Sequence, residues 1–174
     1  MLLGILLMPA LAVAQSKMHS NFGPTFFEPG DNNRGLENAR PPSDAVLDAV
    51  LEKVEADELS DEIEGFTREQ KRALFETVRV TLGPKAEEDF VVHGKPPMIG
   101  ADCEWFWIVR LRQGKAKVLL FSNGLALELR RQIANGYRDV DVSWATAAFV
   151  GDRVFRYDGT SYKLLREHTE EQKP

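Results

Sequence analysis

The sequence predicts an α+β domain in which two short N-terminal helices pack on an antiparallel β-meander sheet. Three observations predict this class. Helical spacing of apolar residues is confined to residues 43–75, alternating strand patterns fill most of residues 76–165, and short turns separate these strands. Short turns join antiparallel neighbours, whereas parallel strands need long crossovers. With 174 residues, the chain has the length of one domain.

The N-terminal stretch has the pattern of an export signal. Residues 1–14, MLLGILLMPALAVA, carry no charge and end in an A-x-A motif. This run is typical of a secretory signal peptide cleaved before Gln15, and it is too short to span a bilayer as a helix. The alternative is an uncleaved membrane anchor. We therefore expect a periplasmic or secreted bacterial protein with no membrane span after cleavage.

The next segment, residues 15–42, is rich in Gly, Pro and Asn and shows no sustained period. This composition predicts a flexible leader. Phe22, Phe26 and Phe27 are its exception, because a short piece containing them can dock on the domain. Residues 43–166 are then expected to form the single domain, and residues 167–174 a frayed tail.

Two helices are predicted at the start of the domain. Apolar residues recur every three or four positions from Asp44 to Ala56, with Ser43 as the N-cap, so this segment has one apolar face. Its acidic residues share the opposite face, which indicates a solvated surface rather than a metal site. The sequence from Thr67 to Gln70 fits a capping box and predicts a second short helix that ends near Phe75.

Strand patterns follow from Val78 onward. The segment from Glu104 to Leu111 is apolar on both faces, which predicts a central strand covered on both sides. Tight turns are predicted at Gln113-Gly114, Asn123-Gly124, Asn135-Gly136, Gly151-Asp152 and Asp158-Gly159. The last strand is expected from Tyr162 to Leu165.

Cys103 is the single cysteine, so the chain cannot form an internal disulfide. A lone cysteine beside a strand is most often a small buried hydrophobe. Pairing with another chain and a reactive thiol are the alternatives. Among the histidines, only His93 is a candidate base for such a thiol.

The composition gives little support to catalysis or to nucleic-acid binding. The formal net charge of −5 disfavours a phosphate backbone as partner. The sequence contains none of the common nucleophile, zinc, Walker A or dinucleotide motifs, so we predict no cofactor, no metal site and no catalytic residue. A small hydrolase with paired carboxylates is the alternative, with Glu104, Asp139, Asp141 and Asp158 as its candidates.

Aromatic and arginine side chains favour a binding role instead, because these residue types dominate protein contacts and also stack on sugars. The buried strand is expected to hold its tryptophans in the core. The turns after it are better placed for binding. We therefore predict a non-enzymatic binding or interaction module, whose partner is another envelope protein or a glycan. The predicted ligand-binding residues are Tyr137, Arg138, Asp139, Tyr157 and Tyr162.

Short motifs in this region resemble those of a known group. The segments GADCEWFWIVR, NGYRDV and VFRYDGTSYKL are similar to a group of exported bacterial proteins of uncharacterised activity. That group shares a Gly/Asn-Cys-x-x-Trp segment, an Asn-Gly-Tyr-x-Asp turn and a Tyr-x-x-Asp-Gly-x-x-Tyr closing hairpin. The closing part also resembles a single FG-GAP-type repeat. The acidic calcium loop of that repeat is missing here, and no internal repeat is found. The resemblance implies export and a compact sheet domain, and it implies no specific activity.

Overall fold

The computed structural model describes residues 24–30, 33–56, 60–83, 87–99 and 103–172. The predicted signal peptide and Phe22 lie outside these ranges. The helices are α1 (Asp44–Ala56), a 3₁₀ turn (Ser60–Ile63) and α2 (Arg68–Ala73). The strands are β1 (Phe26–Phe27), β2 (Phe75–Val80), β3 (Glu88–Gly94), β4 (Glu104–Arg112), β5 (Lys115–Gly124), β6 (Ala126–Ala134), β7 (Tyr137–Ala145), β8 (Phe149–Tyr157) and β9 (Tyr162–Glu171).

The strands form two antiparallel sheets where the sequence predicts one. The first sheet has the order β2-β3-β4-β5, and the second has the order β1-β6-β7-β8-β9. Each sheet contains a run of four successive strands joined as a meander, so the predicted antiparallel meander is confirmed within each. The division into two sheets follows from the connection between β5 and β6, which passes from one sheet to the other.

The molecule has three layers, with α1 on one face of the four-stranded sheet and the five-stranded sheet on the other. One apolar core lies between the sheets and includes Phe106, Ile108, Leu127 and Val142. The other core lies under α1. The four-stranded sheet is therefore covered on both faces. This agrees with the apolar side chains that its strands carry on both sides.

Strand β4 is the buried centre of the molecule, as predicted. Trp107 and Val109 belong to the core under α1, whereas Phe106 and Ile108 belong to the core between the sheets. These four side chains are all 0% exposed. Trp107 packs edge-on against Phe75 and stacks on the ring of Phe121 in β5. Trp107 is thus a core residue that stabilises the fold.

The two helices differ in how they are held. The prediction of α1 is confirmed at both ends, and its buried residues are Val46, Leu47, Val50 and Val54. The capping box at the start of α2 is also present, yet α2 buries none of its residues. Charged contacts connect α2 to the start of α1 instead, with Arg72 2.6 Å from Asp44 and Arg68 2.7 Å from Asp48. Only α1 therefore packs on a sheet through an apolar face.

The leader is more ordered than its composition predicts. Phe26 and Phe27 form β1, which pairs with β6, and Phe27 is 0% exposed in the core between the sheets. Leu36 is buried in the same core. The predicted docking is confirmed for this phenylalanine pair. The prediction of a flexible leader is wrong for the described residues from 24 to 42, because burial of the apolar side chains offsets the cost of ordering them.

Three of the predicted hairpin turns are confirmed. Gln113 and Gly114 both have positive φ, of 51° and 75°, and join β4 to β5. Asn135 and Gly136 both have positive φ, of 53° and 82°, and join β6 to β7. Between β8 and β9, the Oδ1 atom of Asp158 accepts hydrogen bonds from the backbone N–H groups of Thr160 and Ser161. Asparagine, aspartate and glycine are the residues that such turns favour.

Two other predicted turns are wrong, because their glycines lie within strands. Gly124 is the last residue of β5, where a Cβ atom would overlap the backbone of Ser143 on β7. Gly151 lies in β8, where a Cβ atom would be 2.8 Å from the indole of Trp144. Both glycines permit a close approach of neighbouring groups, which is a common reason for a glycine within a strand.

Strand β9 forms one edge of the five-stranded sheet and runs to Glu171. It thus continues through residues that the sequence predicts as a frayed tail. Nine of its ten residues are exposed, and a register shift interrupts its pairing with β8 between Val154 and Phe155. In the part of the chain that the structure describes, no helix has both the length and the apolar character to cross a membrane.

Candidate functional site

A cavity of about 450 Å³ opens at the end of the two sheets where three hairpins meet. Strands β4 and β5 meet there at the Gln113-Gly114 turn, β6 and β7 at Asn135-Gly136, and β8 and β9 at Asp158-Gly159. We call this the basic cavity. The side chains that line it are Glu87, Arg110, Arg112, Lys115, Lys117, Leu119, Asn135, Tyr137, Tyr157 and Thr160, and Gly159 completes the wall.

Arg110 is the buried cation of the basic cavity. Its Nε atom is 2.8 Å from Asp89 on the neighbouring strand and 2.9 Å from Glu87, and its side chain is 10% exposed. Burial alone would lower the pKa of Arg110, but the hydrogen bond and the charge of Asp89 outweigh it, so the pKa is raised. Arg110 is therefore a fixed positive charge that already has two carboxylate partners.

Tyr137 and Tyr157 form the inner wall of the basic cavity. Their ring centroids are 4.4 Å apart, and the guanidinium of Arg110 lies 4.4 Å from the centroid of Tyr137. The Tyr137 hydroxyl donates to Glu87, 3.1 Å away. Burial and this hydrogen bond raise the pKa of Tyr137, although Arg110 opposes the shift. Each tyrosine is 7% exposed, so neither ring has an open face for stacking.

The other three predicted binding residues lie outside the lining of the basic cavity. Tyr162 is buried next to Tyr157, its hydroxyl donates to the backbone oxygen of Arg138, and burial raises its pKa well above the usual range. Asp139 is 3% exposed and accepts two hydrogen bonds from Arg156, at 3.0 and 2.7 Å. Arg138 donates from Nη1 to the backbone oxygens of Leu129 and Arg130, both at 3.4 Å. The structure thus brings two of the five predicted residues to this cavity and gives the other three structural partners.

Two exposed cations at the mouth are the groups most available to a ligand. Arg112 and Lys115 flank the β4–β5 turn, and neither has a recorded partner within the described residues. Lys117 donates to the backbone oxygen of Thr160. The cavity has four cationic side chains against the carboxylates of Glu87 and Asp89, a formal excess of two positive charges. The whole chain has a formal net charge of −5, so the charge at this end of the molecule is opposite in sign to that of the whole chain.

Sequence reasoning missed Arg112, Lys115 and Lys117. The signal that reveals them is the segment RLRQGKAK, in which four cations surround the predicted turn at Gln113-Gly114. Residues two apart in a strand point to the same face, and the turn brings the two strands together. The sequence therefore shows that these four charges cluster on one face of one hairpin. It does not show that tyrosines from two other hairpins stand beside them.

The candidate carboxylates of the hydrolase hypothesis are each held by a basic side chain or by backbone. Asp141 is bonded to Arg130, and Glu104 lies 3.0 Å from His93 Nε2. Asp158 binds the backbone of its own turn, which lowers its pKa. Neither these carboxylates nor Asp139 line the basic cavity. Within the described residues, no group of three or more His, Cys, Asp or Glu side chains is arranged to hold a metal ion.

Cys103 is partly exposed, so the prediction of a buried hydrophobe is wrong. Its sulfur is 3.5 Å from the Nδ2 atom of Asn123, which lies at the end of β5. It lines a second cavity of about 320 Å³. His93, the candidate base, contacts Glu104.

These features define an antiparallel two-sheet domain, covered by one helix, with a positively charged cavity at one end. No protein-family model, curated protein or solved structure matches the chain.

Proposed function

We propose that the chain is a non-enzymatic binding module of the bacterial envelope, periplasmic or secreted, and that the basic cavity holds an acidic glycan unit. The observation that carries the proposal is the cluster of cations around a concave site. Four cationic side chains line a cavity of about 450 Å³, and two of them, Arg112 and Lys115, have no recorded partner in the described residues. A cavity of this volume suits a small ligand rather than a flat protein surface.

The contacts at the cavity favour an anionic ligand and explain which groups bind it. Arg110 is already bonded to Asp89 and Glu87, so it contributes a fixed field. The exposed Arg112 and Lys115 are available to carboxylate, phosphate or sulfate oxygens. Tyr137, Tyr157 and Leu119 supply an apolar wall for the carbon skeleton of a sugar. Export rests on residues 1–14, which supply the signal-peptide pattern and lie outside the described residues.

The hydrolase alternative receives no support from the site. A two-carboxylate mechanism needs both groups to face the same substrate. Asp139 and Asp141 lie in β7 but are bound by Arg156 and Arg130. The binding proposal therefore explains the described geometry better.

The experiment that tests this function measures binding of a uronic-acid oligosaccharide and of a neutral oligosaccharide of the same length by calorimetry. We expect binding of the acidic probe only, with an affinity that falls as salt is raised, because exposed charges are screened. The double variant Arg112→Glu and Lys115→Glu is expected to weaken binding at least tenfold.

The matched control is the double variant Arg40→Glu and Arg131→Glu, which reverses two exposed cations that do not line the cavity. It is expected to leave binding within twofold of the wild-type value. Equal effects of the cavity variant and of this control would show that the overall charge, and not the site, is responsible. Equal affinity for the acidic and the neutral probe would refute the anionic ligand.

A further inference from the structure

The basic cavity contains one carboxylate among its cations. Of the residues that line it, Glu87 is the single acid, whereas four are arginine or lysine. A carboxylate repels negatively charged groups that come close to it. Glu87 therefore limits which anions the cavity accepts, and its contacts show how.

One oxygen of Glu87 is fixed by two neighbours. Its Oε2 atom lies 2.9 Å from the Nε atom of Arg110 and accepts a hydrogen bond from the Tyr137 hydroxyl, 3.1 Å away. The Glu87 side chain is 15% exposed. Because both contacts are made to the same oxygen, the carboxylate is held in one orientation on the cavity wall.

The other oxygen of Glu87 is open to a ligand. Its Oε1 atom has no hydrogen-bond partner among the described residues, and it is not one of the fully buried atoms that lack a partner. Since Glu87 lines the basic cavity, Oε1 is accessible from it. An ionised carboxylate oxygen only accepts hydrogen bonds, so a ligand at this position has to present a donor.

The surrounding charges favour a neutral donor. Arg110 already contacts this carboxylate, and Arg112 and Lys115 line the same cavity, so a ligand ammonium group would meet three like charges. A hydroxyl group donates without that repulsion. Asn135 adds a second acceptor, because its Nδ2 atom donates to the backbone oxygen of Tyr157 at 2.7 Å and its Oδ1 atom has no recorded partner in the described part of the chain.

We propose that Glu87 determines the specificity of the basic cavity, which selects a hexuronic acid with free ring hydroxyls over a sulfated or phosphorylated sugar. The inference rests on the proposed acidic-glycan function. The sugar carboxylate binds to Arg112 and Lys115, and a ring hydroxyl donates to Glu87 Oε1. A sulfate or phosphate ester at that hydroxyl removes the donor and places a further negative charge against the carboxylate. Cavities that are built to hydrogen-bond a hydroxyl strongly reject analogues that lack it.

The test compares two probes on the full chain by calorimetry. One is the trimer of galacturonic acid, and the other is the same trimer with its ring hydroxyls sulfated. A cluster of cations without Glu87 would bind the more highly charged, sulfated trimer more tightly. We expect the reverse order, with a preference of about tenfold or more for the unsulfated trimer, because one hydrogen bond to a charged group is lost on sulfation.

Glu87→Gln identifies the group that is responsible. The amide oxygen is expected to replace Oε2 beside Arg110 and Tyr137, so the amide NH₂ group replaces Oε1 and presents a donor to the ligand. The preference for the unsulfated trimer is expected to fall about tenfold, with tighter binding of the sulfated trimer. Both affinities are measured on one sample, so a partly unfolded variant does not imitate this change in their ratio.

The matched control is Glu88→Gln, which removes the same charge at the next residue, outside the lining of the cavity. We expect it to leave the preference within about twofold of the wild-type value, because exposed charges are screened. Wild-type protein that binds the sulfated trimer as tightly, or a preference that changes equally in Glu87→Gln and Glu88→Gln or in neither, would overturn the role of Glu87 while an acidic-glycan site remains. Failure to bind either trimer would overturn the proposed function as well.

Discussion

The ion pair between Arg110 and Asp89 should be one of the most sensitive points of the fold. Substitution of Arg110 by Met leaves Asp89, which is 2% exposed, without the guanidinium that binds it at 2.8 Å. An unpaired buried charge costs about 3–5 kcal/mol. The free energy of unfolding of a domain is about 5–15 kcal/mol, so Arg110→Met is expected to remove a large fraction of it.

Urea unfolding followed by tryptophan fluorescence measures this loss. The second variant, Arg110→Met with Asp89→Leu, is expected to recover most of the stability, because the buried Asp89 charge is then absent and Glu87 keeps the hydrogen bond from Tyr137. The control is Arg79→Met, which breaks a 3.3 Å contact with Glu88 in the same sheet. Those side chains are 67% and 46% exposed, so a loss below about 1 kcal/mol is expected. A loss for Arg110→Met no larger than that of the control, or no recovery in the double variant, would refute the reasoning.

Three further predictions concern the leader, a strand glycine and a turn. Phe27→Ala is expected to cost about 3–5 kcal/mol of unfolding free energy in urea, because its ring is 0% exposed, whereas the partly exposed Phe26→Ala should cost clearly less; equal losses would contradict the docking of β1. Gly124→Ala is expected to lower the unfolding free energy by about 1–3 kcal/mol, since its Cβ atom overlaps β7, and a neutral result in the same assay would show that the strands separate freely. The backbone hydrogen bonds of Asp158 lower its pKa, so its contribution to stability is present above the ordinary aspartate pKa of 3.8 and is lost as the pH falls through its lower folded pKa. Thermal unfolding should therefore show Asp158→Ala below wild type at pH 6 and the difference narrowing below pH 3.8, whereas Asp158→Asn, which retains an acceptor, should remain closer to wild type; a difference independent of pH would exclude the carboxylate as the cause.

Local patterns in the sequence predicted the elements that local chemistry determines. The apolar period of α1, the capping box of α2 and the double apolar parity of β4 all depend on residues close together in the chain. Trp107 and Phe106 are neighbours in β4 and therefore point to opposite faces of the sheet, and the structure places them in two different cores. Such patterns need no knowledge of the partner strand.

Features that depend on distant segments were not predictable in this way. The Asn123-Gly124 pair predicts a hairpin turn. In the structure, Gly124 instead leaves room for the backbone of Ser143 in β7, about twenty residues further along the chain. The basic cavity likewise requires three hairpins to meet. The sequence identified Tyr137 and Tyr157 as candidates, but it could not place them beside Arg112 and Lys115, because nothing local indicates that two sheets are stacked.

The exposed edge of the five-stranded sheet has a consequence for the behaviour of the protein at high concentration. Along β9, a ten-residue backbone has one side without a strand partner among the described residues, a geometry that in other proteins recruits foreign strands into fibrils. Here Lys163, Arg166, Glu167, Glu170 and Glu171 place charges along this edge, and the register shift interrupts its regularity. A strand from another chain would have to match two cations followed by three carboxylates across an irregular backbone. These charges therefore disfavour strand pairing between neighbouring molecules at this edge.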